Sequence, residues 1–247
     1  MSYIQSVFLS ESVDRGSYLA RIPAVEYLNR GNSIVFDKPV TFLVGENGMG
    51  KSTLIEAIAV AYGFNPEGGS KNASFTTEGT HSSLWEKMTV AKKKHARDGF
   101  FLRAESFYNF ASYIDELDRQ PAAAPALIRN YGGISLHRQS HGESFMSLVQ
   151  NRFGGKGVYI LDEPEAALSP MKQMTLLCEI DRLVKMDSQF IIATHSPILM
   201  SYPGAEILLL SEKGIQRVDY KETPHYQCSK EFFADPERML HYLLNTL

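Results

Sequence analysis

The chain has 247 residues, 44% hydrophobic and 21% charged, with a formal net charge of −3. That balance suits one folded, soluble α/β domain and excludes a global basic field of the kind that advertises nucleic acid, leaving only a local patch open. Its two cysteines, Cys178 and Cys228, form neither a C-x-x-C pair nor a zinc spacing, which excludes a disulfide framework and makes a reducing compartment, the cytoplasm, the default.

The start, Met1-Ser2-Tyr3-Ile4-Gln5, lacks a basic-then-apolar leader, and no apolar run approaches the roughly 18 residues of a membrane span. Ile4 to Leu9 reads as a first strand and Tyr18 to Ile22 as a second, with Ile34-Val35-Phe36 a third before a turn at Asp37-Lys38. Several β-segments this early predict an antiparallel sheet near the amino terminus. Tyr18 or Tyr27 there either stacks on a base or packs in the core.

Next comes Gly45-Glu46-Asn47-Gly48-Met49-Gly50-Lys51-Ser52-Thr53, the pattern G-x-x-x-x-G-K-[ST]. The apolar run Val40 to Val44 precedes it and the helical run Ser52 to Ala61 succeeds it, the strand, loop and helix context that the pattern requires. Glycines at 45, 48 and 50 let the backbone approach phosphate oxygens, and the helix start adds free N–H groups and partial positive charge. Lys51 is placed to reach the β- and γ-phosphates, and Ser52 to bind Mg²⁺. Nucleoside triphosphate binding is therefore the first functional expectation, with the predicted antiparallel sheet beside the nucleotide.

Residues 63–82 are rich in Gly, Ser, Asn and Thr and read as a loop. Leu84 to Lys94 and Phe100 to Glu105 read as two strands turning at Arg97-Asp98-Gly99, with Lys92 to Arg97 a basic hairpin tip that either touches a nucleic-acid backbone or is simply solvated. Phe107 to Arg119 has helical spacing and ends at Gln120-Pro121, before a linker Ala122-Ala123-Ala124-Pro125. Ser140 caps a helix entered through Glu143, a capping box.

Gly157 to Leu161 is a continuous apolar strand of the buried parallel type, ending in Asp162-Glu163-Pro164. Met171 to Val184 is an amphipathic helix with the apolar members Met171, Met174, Leu177, Cys178 and Leu183, and with Cys178 in the core. Gln189 to Thr194 is another buried strand, ending in His195-Ser196-Pro197. Ala205 to Leu210 and Gly214 to Val218 form a closing hairpin, and Glu231 to Leu247 a terminal helix.

Ligands bind at the carboxyl ends of strands in an open α/β sheet, and three chemistry-bearing groups lie at such ends. Asp162 is where a P-loop enzyme holds Mg²⁺, and Glu163 can orient water and take its proton. The plainer alternative for these two acids is a helix start, where the macrodipole favours them anyway. His195 can donate to the γ-phosphate or to the attacking water.

In order, the P-loop, then Ser140-His141-Gly142-Glu143, then Val158 to Pro164, then Ala193 to Pro197 resembles the motif sequence of ABC-type ATPases. The signature stretch Gln139 to Glu143 stands where the family usually has L-S-G-G-Q, and Ser169 stands where transporters usually carry Asp. The wording Asp162-Glu163-Pro164-Glu165 resembles the soluble branch, with the RecF-like and OLD-like ATPases and the heads of chromosome-maintenance proteins, and most closely its small stand-alone bacterial members. The long coiled-coil arm of the large relatives is absent between Glu105 and the signature.

The resemblance implies a P-loop NTPase fold of ABC type: a mixed sheet with flanking helices, an N-terminal antiparallel β region and a helical lobe at about 106–156, all in one domain over 1–247. It further implies Mg²⁺-dependent ATP hydrolysis in a head-to-tail homodimer. Gly45 to Thr53 would bind ATP; Lys51, Glu163 and His195 would act in cis; Ser140 and Gly142 would reach the partner's ATP. Ser52 and Asp162 would hold the metal, with Glu105 in the place of the family's Q-loop residue. The dimer would switch a partner protein or act on DNA, in a repair or phage-defence setting. The rival expectations are the nucleotide-binding subunit of a transporter and an ATP-gated dimerisation module with little turnover.

Overall fold

The computed structural model describes residues 2–71, 82–119 and 126–245. In chain order the elements are β1 (Ile4–Leu9), α1 (Pro23–Asn29), β2 (Ile34–Val35), β3 (Val40–Val44), α2 (Lys51–Tyr62), β4 (Met88–Lys92), β5 (Asp98–Arg103), α3 (Phe107–Arg119), α4 (His141–Arg152), β6 (Gly157–Asp162), α5 (Pro170–Lys185), β7 (Gln189–Ala193), α6 (Pro197–Met200), β8 (Glu206–Ser211), β9 (Gly214–Val218), α7 (Pro224–Ala234) and α8 (Pro236–Asn245). Strands form a six-stranded sheet in the order β5-β6-β7-β3-β8-β9 and a three-stranded antiparallel sheet, β2-β1-β4. In the large sheet only the edge strand β9 runs antiparallel.

Every residue of β3, β6 and β7 is buried, which is what unbroken apolar runs allow when both faces of a parallel sheet are covered. One face packs α1, α2 and the small sheet through residues such as Val25, Ile55, Ile58 and Val7. The other packs α3, α4 and α5 through Phe110, Phe145, Leu148, Leu176 and Ile180. Gln189 ties the two sheets together: its Oε1 accepts from the Tyr3 and Ile4 amides at 2.7 Å each, and its amide donates to Ile4 O at 2.9 Å.

The expected early antiparallel sheet is present, but Tyr18 to Ile22 is not one of its strands. Tyr18–Arg21 is a 3₁₀ turn begun by Ser17, whose Oγ accepts from the Leu19 amide at 3.3 Å. Pro23 then fixes Ile22 in extended backbone and occupies the first position of α1.

The expected hairpin at Arg97 to Gly99 is also not formed. Ser83–Lys87 is a 3₁₀ turn, and the two strands after it join different sheets, β4 against β1 and β5 beside β6. Asp98 is the reason the chain changes sheet there. Its carboxylate accepts from Arg152 at 2.8 Å, the Tyr159 hydroxyl at 2.7 Å and the Gly154 amide at 2.9 Å. Gly99 leaves room for this crossing, since a Cβ would lie 2.8 Å from the Phe64 ring and 2.9 Å from Val158 O. The basic stretch therefore lies at the amino ends of the parallel strands, with Lys94 paired to Asp187 at 2.7 Å and 4.1 Å over the Tyr3 ring.

Cys178 is exposed on α5 rather than in the core, and Met171 and Met174 face outward too. The buried face is Gln173, Leu176, Ile180 and Leu183. A polar residue turns inward because its amide is satisfied there, so the apolar stripe read from the sequence shares Leu183 with the buried face but is otherwise rotated from it.

The terminal helix is two helices: Asp235, the residue before Pro236, leaves the helical region and its carboxylate caps α8 by accepting from the Arg238 amide at 3.0 Å. The Ala122 to Pro125 linker and residues 72–81 of the expected loop lie outside the described residues. Among the described residues no helix is long and apolar enough to cross a membrane.

Candidate functional site

The carboxyl ends of β5, β6, β7 and β3 deliver the site. From β3 the chain enters the glycine loop, where Gly48 and Gly50 take φ of 84° and 92°. A Cβ on Gly50 would sit 2.2 Å from Ile22 Cγ2, and one on Gly45 2.4 Å from Leu210 O, so the loop is walled on both sides. Ala24 N–H donates to Met49 O at 3.3 Å, pinning the loop to α1. Inside the loop lies a cavity of about 330 Å³, lined among others by Ile22, Asn47, Gly48, Lys51, Thr53 and Glu163.

Lys51 opens α2 and is only 4% exposed. Its ammonium donates to Gly45 O at 2.8 Å and Glu46 O at 3.1 Å, so it is held across the loop it would serve. Burial pulls its pKa down from the ordinary lysine value, against the carboxylates of Glu163, Asp162, Glu46 and Glu165, which push it up.

Beside Lys51, the Ser52 hydroxyl is 3.4 Å from Asp162 Oδ1. Asp162 is 5% exposed, and burial raises its pKa to about 7, the Arg103 charge opposing and Glu163 and Glu105 adding to the rise. Arg103, at the end of β5, donates to Glu56 Oε2 at 2.7 Å, and its Nε lies 3.4 Å from Asp162 Oδ2, within ion-pair range but unaligned for a hydrogen bond. The Glu105 side chain is 85% exposed and its carboxylate is 3.7 Å from that same guanidinium. Structure thus puts Arg103, not Glu105, against the Ser52–Asp162 pair.

Glu163 takes φ of 48°, one of three positive-φ residues other than glycine among those described. Such strain in a side-chain-bearing residue persists only where the surroundings hold it. Here its amide donates to Ala193 O at 3.0 Å, and Pro164 comes next, which disfavours the right-handed helical region. Its carboxylate lies 3.7 Å from His195 Nε2. Glu165 anchors the His195 segment, accepting from the Thr194 hydroxyl at 2.8 Å and from the His195 amide. Gln173 completes the support: its carbonyl oxygen accepts from Ser196 Oγ at 2.6 Å while its amide donates to Leu168 O at 3.0 Å. On the far side, His195 Nδ1 is 3.0 Å from His225 Nε2 at the start of α7.

Ser140 and Gly142 begin α4 and contact neighbours of their own. Glu143 accepts from the Ser140 amide at 3.0 Å and hydroxyl at 2.6 Å, and a Cβ on Gly142 would lie 2.8 Å from Ala167 O. His141, in place of a signature glycine, stacks on Phe107 with ring centroids 5.5 Å apart. Neither tyrosine lines the phosphate cavity: Tyr18 is 65% exposed and Tyr27 packs against Gly214 of the β8–β9 turn.

Sequence reasoning missed Arg103, Glu165 and His225 as members of the site. Glu165 had a signal, a third acid in Asp162-Glu163-Pro164-Glu165. Arg103 lay two residues before the proposed site residue Glu105, and His225 had no local signal.

An AAA domain family model, AAA_23, matches residues 24–115, which hold all of α1 but its first residue, the glycine loop and most of α3. The Retron Vc95 probable ATPase of Vibrio cholerae serotype O1 biovar El Tor is 28% identical over 162 residues, covering 57% of this chain and 30% of that protein. An uncharacterized ABC transporter ATP-binding protein of Haemophilus influenzae is 29% identical over 111 residues, covering 44% of this chain and 42% of that one. The chain therefore aligns with less than half the length of each. In fold it resembles cbiO1 from Clostridium perfringens, part of the ABC transporter complex cbiONQ, with a TM-score of 0.50 and 16% identity, covering 98% of this chain and 99% of that one.

Proposed function

We propose that the chain is a P-loop protein of the ABC-ATPase type that binds ATP with Mg²⁺ and hydrolyses it in a head-to-tail dimer. The observation that carries this is the convergence of Lys51, Ser52, Asp162, Glu163 and His195 at the carboxyl ends of adjacent strands. In this reading the loop amides and the start of α2 bind the phosphates, and the Lys51 ammonium exchanges the Gly45 and Glu46 carbonyls for phosphate oxygens.

The donors fit Mg²⁺, which takes hydroxyl, carboxylate, phosphate and water oxygens: Ser52 and Asp162 are already side by side. When bound, the ion neutralises charge on the β- and γ-phosphates. Glu163, held toward the loop by its strained backbone, aligns a water and takes its proton, a role worth roughly 10²–10⁴ in rate. His195 stabilises the γ-phosphate charge. Ser140 and Gly142 of a second copy close the site from the start of α4, and ATP-dependent dimerisation switches a partner protein or a DNA contact in the cytoplasm. The retron relative, a probable ATPase, supports the ATPase reading. The Haemophilus relative supports a second reading, the nucleotide-binding subunit of a transporter, which predicts co-purification with a membrane protein.

The test is light scattering coupled to size exclusion, with and without Mg²⁺-ATP, on the unaltered chain and Glu163→Gln, with phosphate release measured in parallel. ATP should convert monomer to dimer, the variant should retain the dimer, and only the unaltered chain should release phosphate. An oligomeric state indifferent to ATP, with no phosphate released, would sink the proposal.

A further inference from the structure

His225 belongs to no motif, yet it is built into the site. It is the second residue of α7, behind Pro224, and the helix start is fixed by the fully buried Thr223. The Thr223 hydroxyl donates to Tyr220 O at 2.8 Å and accepts from the Tyr226 amide at 3.3 Å. This holds the His225 ring 5.2 Å from that of His195, with Nε2 3.0 Å from His195 Nδ1. The other nitrogen, Nδ1 of His225, is buried with no hydrogen-bond partner among the described residues.

Those facts decide which way the bond runs. Burial, then the neighbouring His195, pulls the His225 pKa below the ordinary histidine value, and the start of a helix disfavours a cation, so His225 is neutral with one N–H. Were the proton on Nδ1, a buried N–H would have no acceptor, and His195 would have to donate from its own Nδ1. Its Nε2 lone pair would then face the Glu163 carboxylate at 3.7 Å, acceptor against acceptor. With the proton on Nε2, both conflicts vanish.

We propose that His225 is a positioning residue for His195: its Nε2–H donates to His195 Nδ1 and so keeps the His195 proton on Nε2, the nitrogen that faces Glu163. The relay runs from His225 N–H to His195 Nδ1, and from His195 Nε2–H toward Glu163 and the phosphate cavity. His195 is thereby a donor, able to stabilise phosphate charge and unable to take the water's proton, which leaves that task to Glu163. This consequence rests on the ATPase reading above, whereas the hydrogen bond does not.

The test uses His225→Leu, which removes the donor, and His225→Gln, whose side-chain amide restores one at the same place. Imidazole nitrogen NMR at pH 8 on the nucleotide-free protein reads the tautomers of the seven histidines, with His195 identified by the signals lost in His195→Gln. His195 should carry its proton on Nε2 in the unaltered chain and in His225→Gln, and become a mixture in His225→Leu. In parallel, kcat should fall about tenfold in His225→Leu and largely recover in His225→Gln. KM should stay within about twofold, because the loss is confined to a step after binding. An Nδ1 proton on His195 in the unaltered chain, or the same tautomer in all three proteins, overturns the proposal. Absence of phosphate release from the unaltered chain overturns the ATPase reading instead, and the spectrum still decides where the proton sits.

Discussion

Two helices start where phosphate is expected, and they start differently. Helix α2 begins after Gly50 with no side-chain cap, its first residue is buried, and its orphan N–H groups open into a walled cavity. Helix α4 starts at exposed Ser140, and Glu143 folds back to accept both the Ser140 amide and hydroxyl. Those two bonds, then the Lys172 charge, hold the Glu143 pKa below the ordinary glutamate value, so at neutral pH an anion already sits at the helix start that the proposed dimer would offer to a partner's phosphate. An uncapped, buried helix start is a finished ligand site; a capped, exposed one is a finished helix end that a ligand must first open.

Four substitutions would break or sharpen that contrast. Lys51→Ala should have the largest effect, weakening ATP binding by at least about a hundredfold in calorimetric titration, because a buried charge loses its partner. Gly50→Ala comes next: a Cβ meeting Ile22 at 2.2 Å, on a residue with φ of 92°, should cost about 2 kcal/mol in denaturant melts even without nucleotide. Glu143→Gln keeps a capping-box acceptor but removes the charge, so the ATP-dependent dimer seen by light scattering should tighten about tenfold. Unchanged dimerisation would mean that Glu143 and phosphate do not compete. Ser169→Ala is the control, since the Ser169 hydroxyl caps α5 by accepting from the Lys172 amide at 3.4 Å; it should cost about 0.5–1 kcal/mol, the same with and without ATP.

Legibility tracked how local each feature is. The glycine loop between strand and helix was legible because strand, glycines, lysine and helix are contiguous, and each constrains its neighbour. Asp162, Glu163 and His195 were legible as the polar ends of unbroken apolar strands. The Tyr18 to Ile22 strand and the Arg97 to Gly99 hairpin were misread because a short run of alternating residues is compatible with a turn or with a change of sheet. The deciding residues lie outside each run: Pro23 forces Ile22, while Arg152 and Tyr159, more than fifty positions on, claim Asp98. Cys178 was misread because an inward Gln173 looks like a solvent position until Ser196 and Leu168 are seen to satisfy it.

By itself, then, the sequence determined the phosphate-binding loop and the order of the strand-end groups, since both depend on residue type and spacing along one stretch of chain. Only the tertiary structure decided that Arg103 rather than Glu105 lies against Asp162, and that His225 meets His195 thirty residues away. The reason is that a charge or an imidazole acquires its role from the burial and partners around it, and those are supplied by segments that meet only when the sheet is assembled.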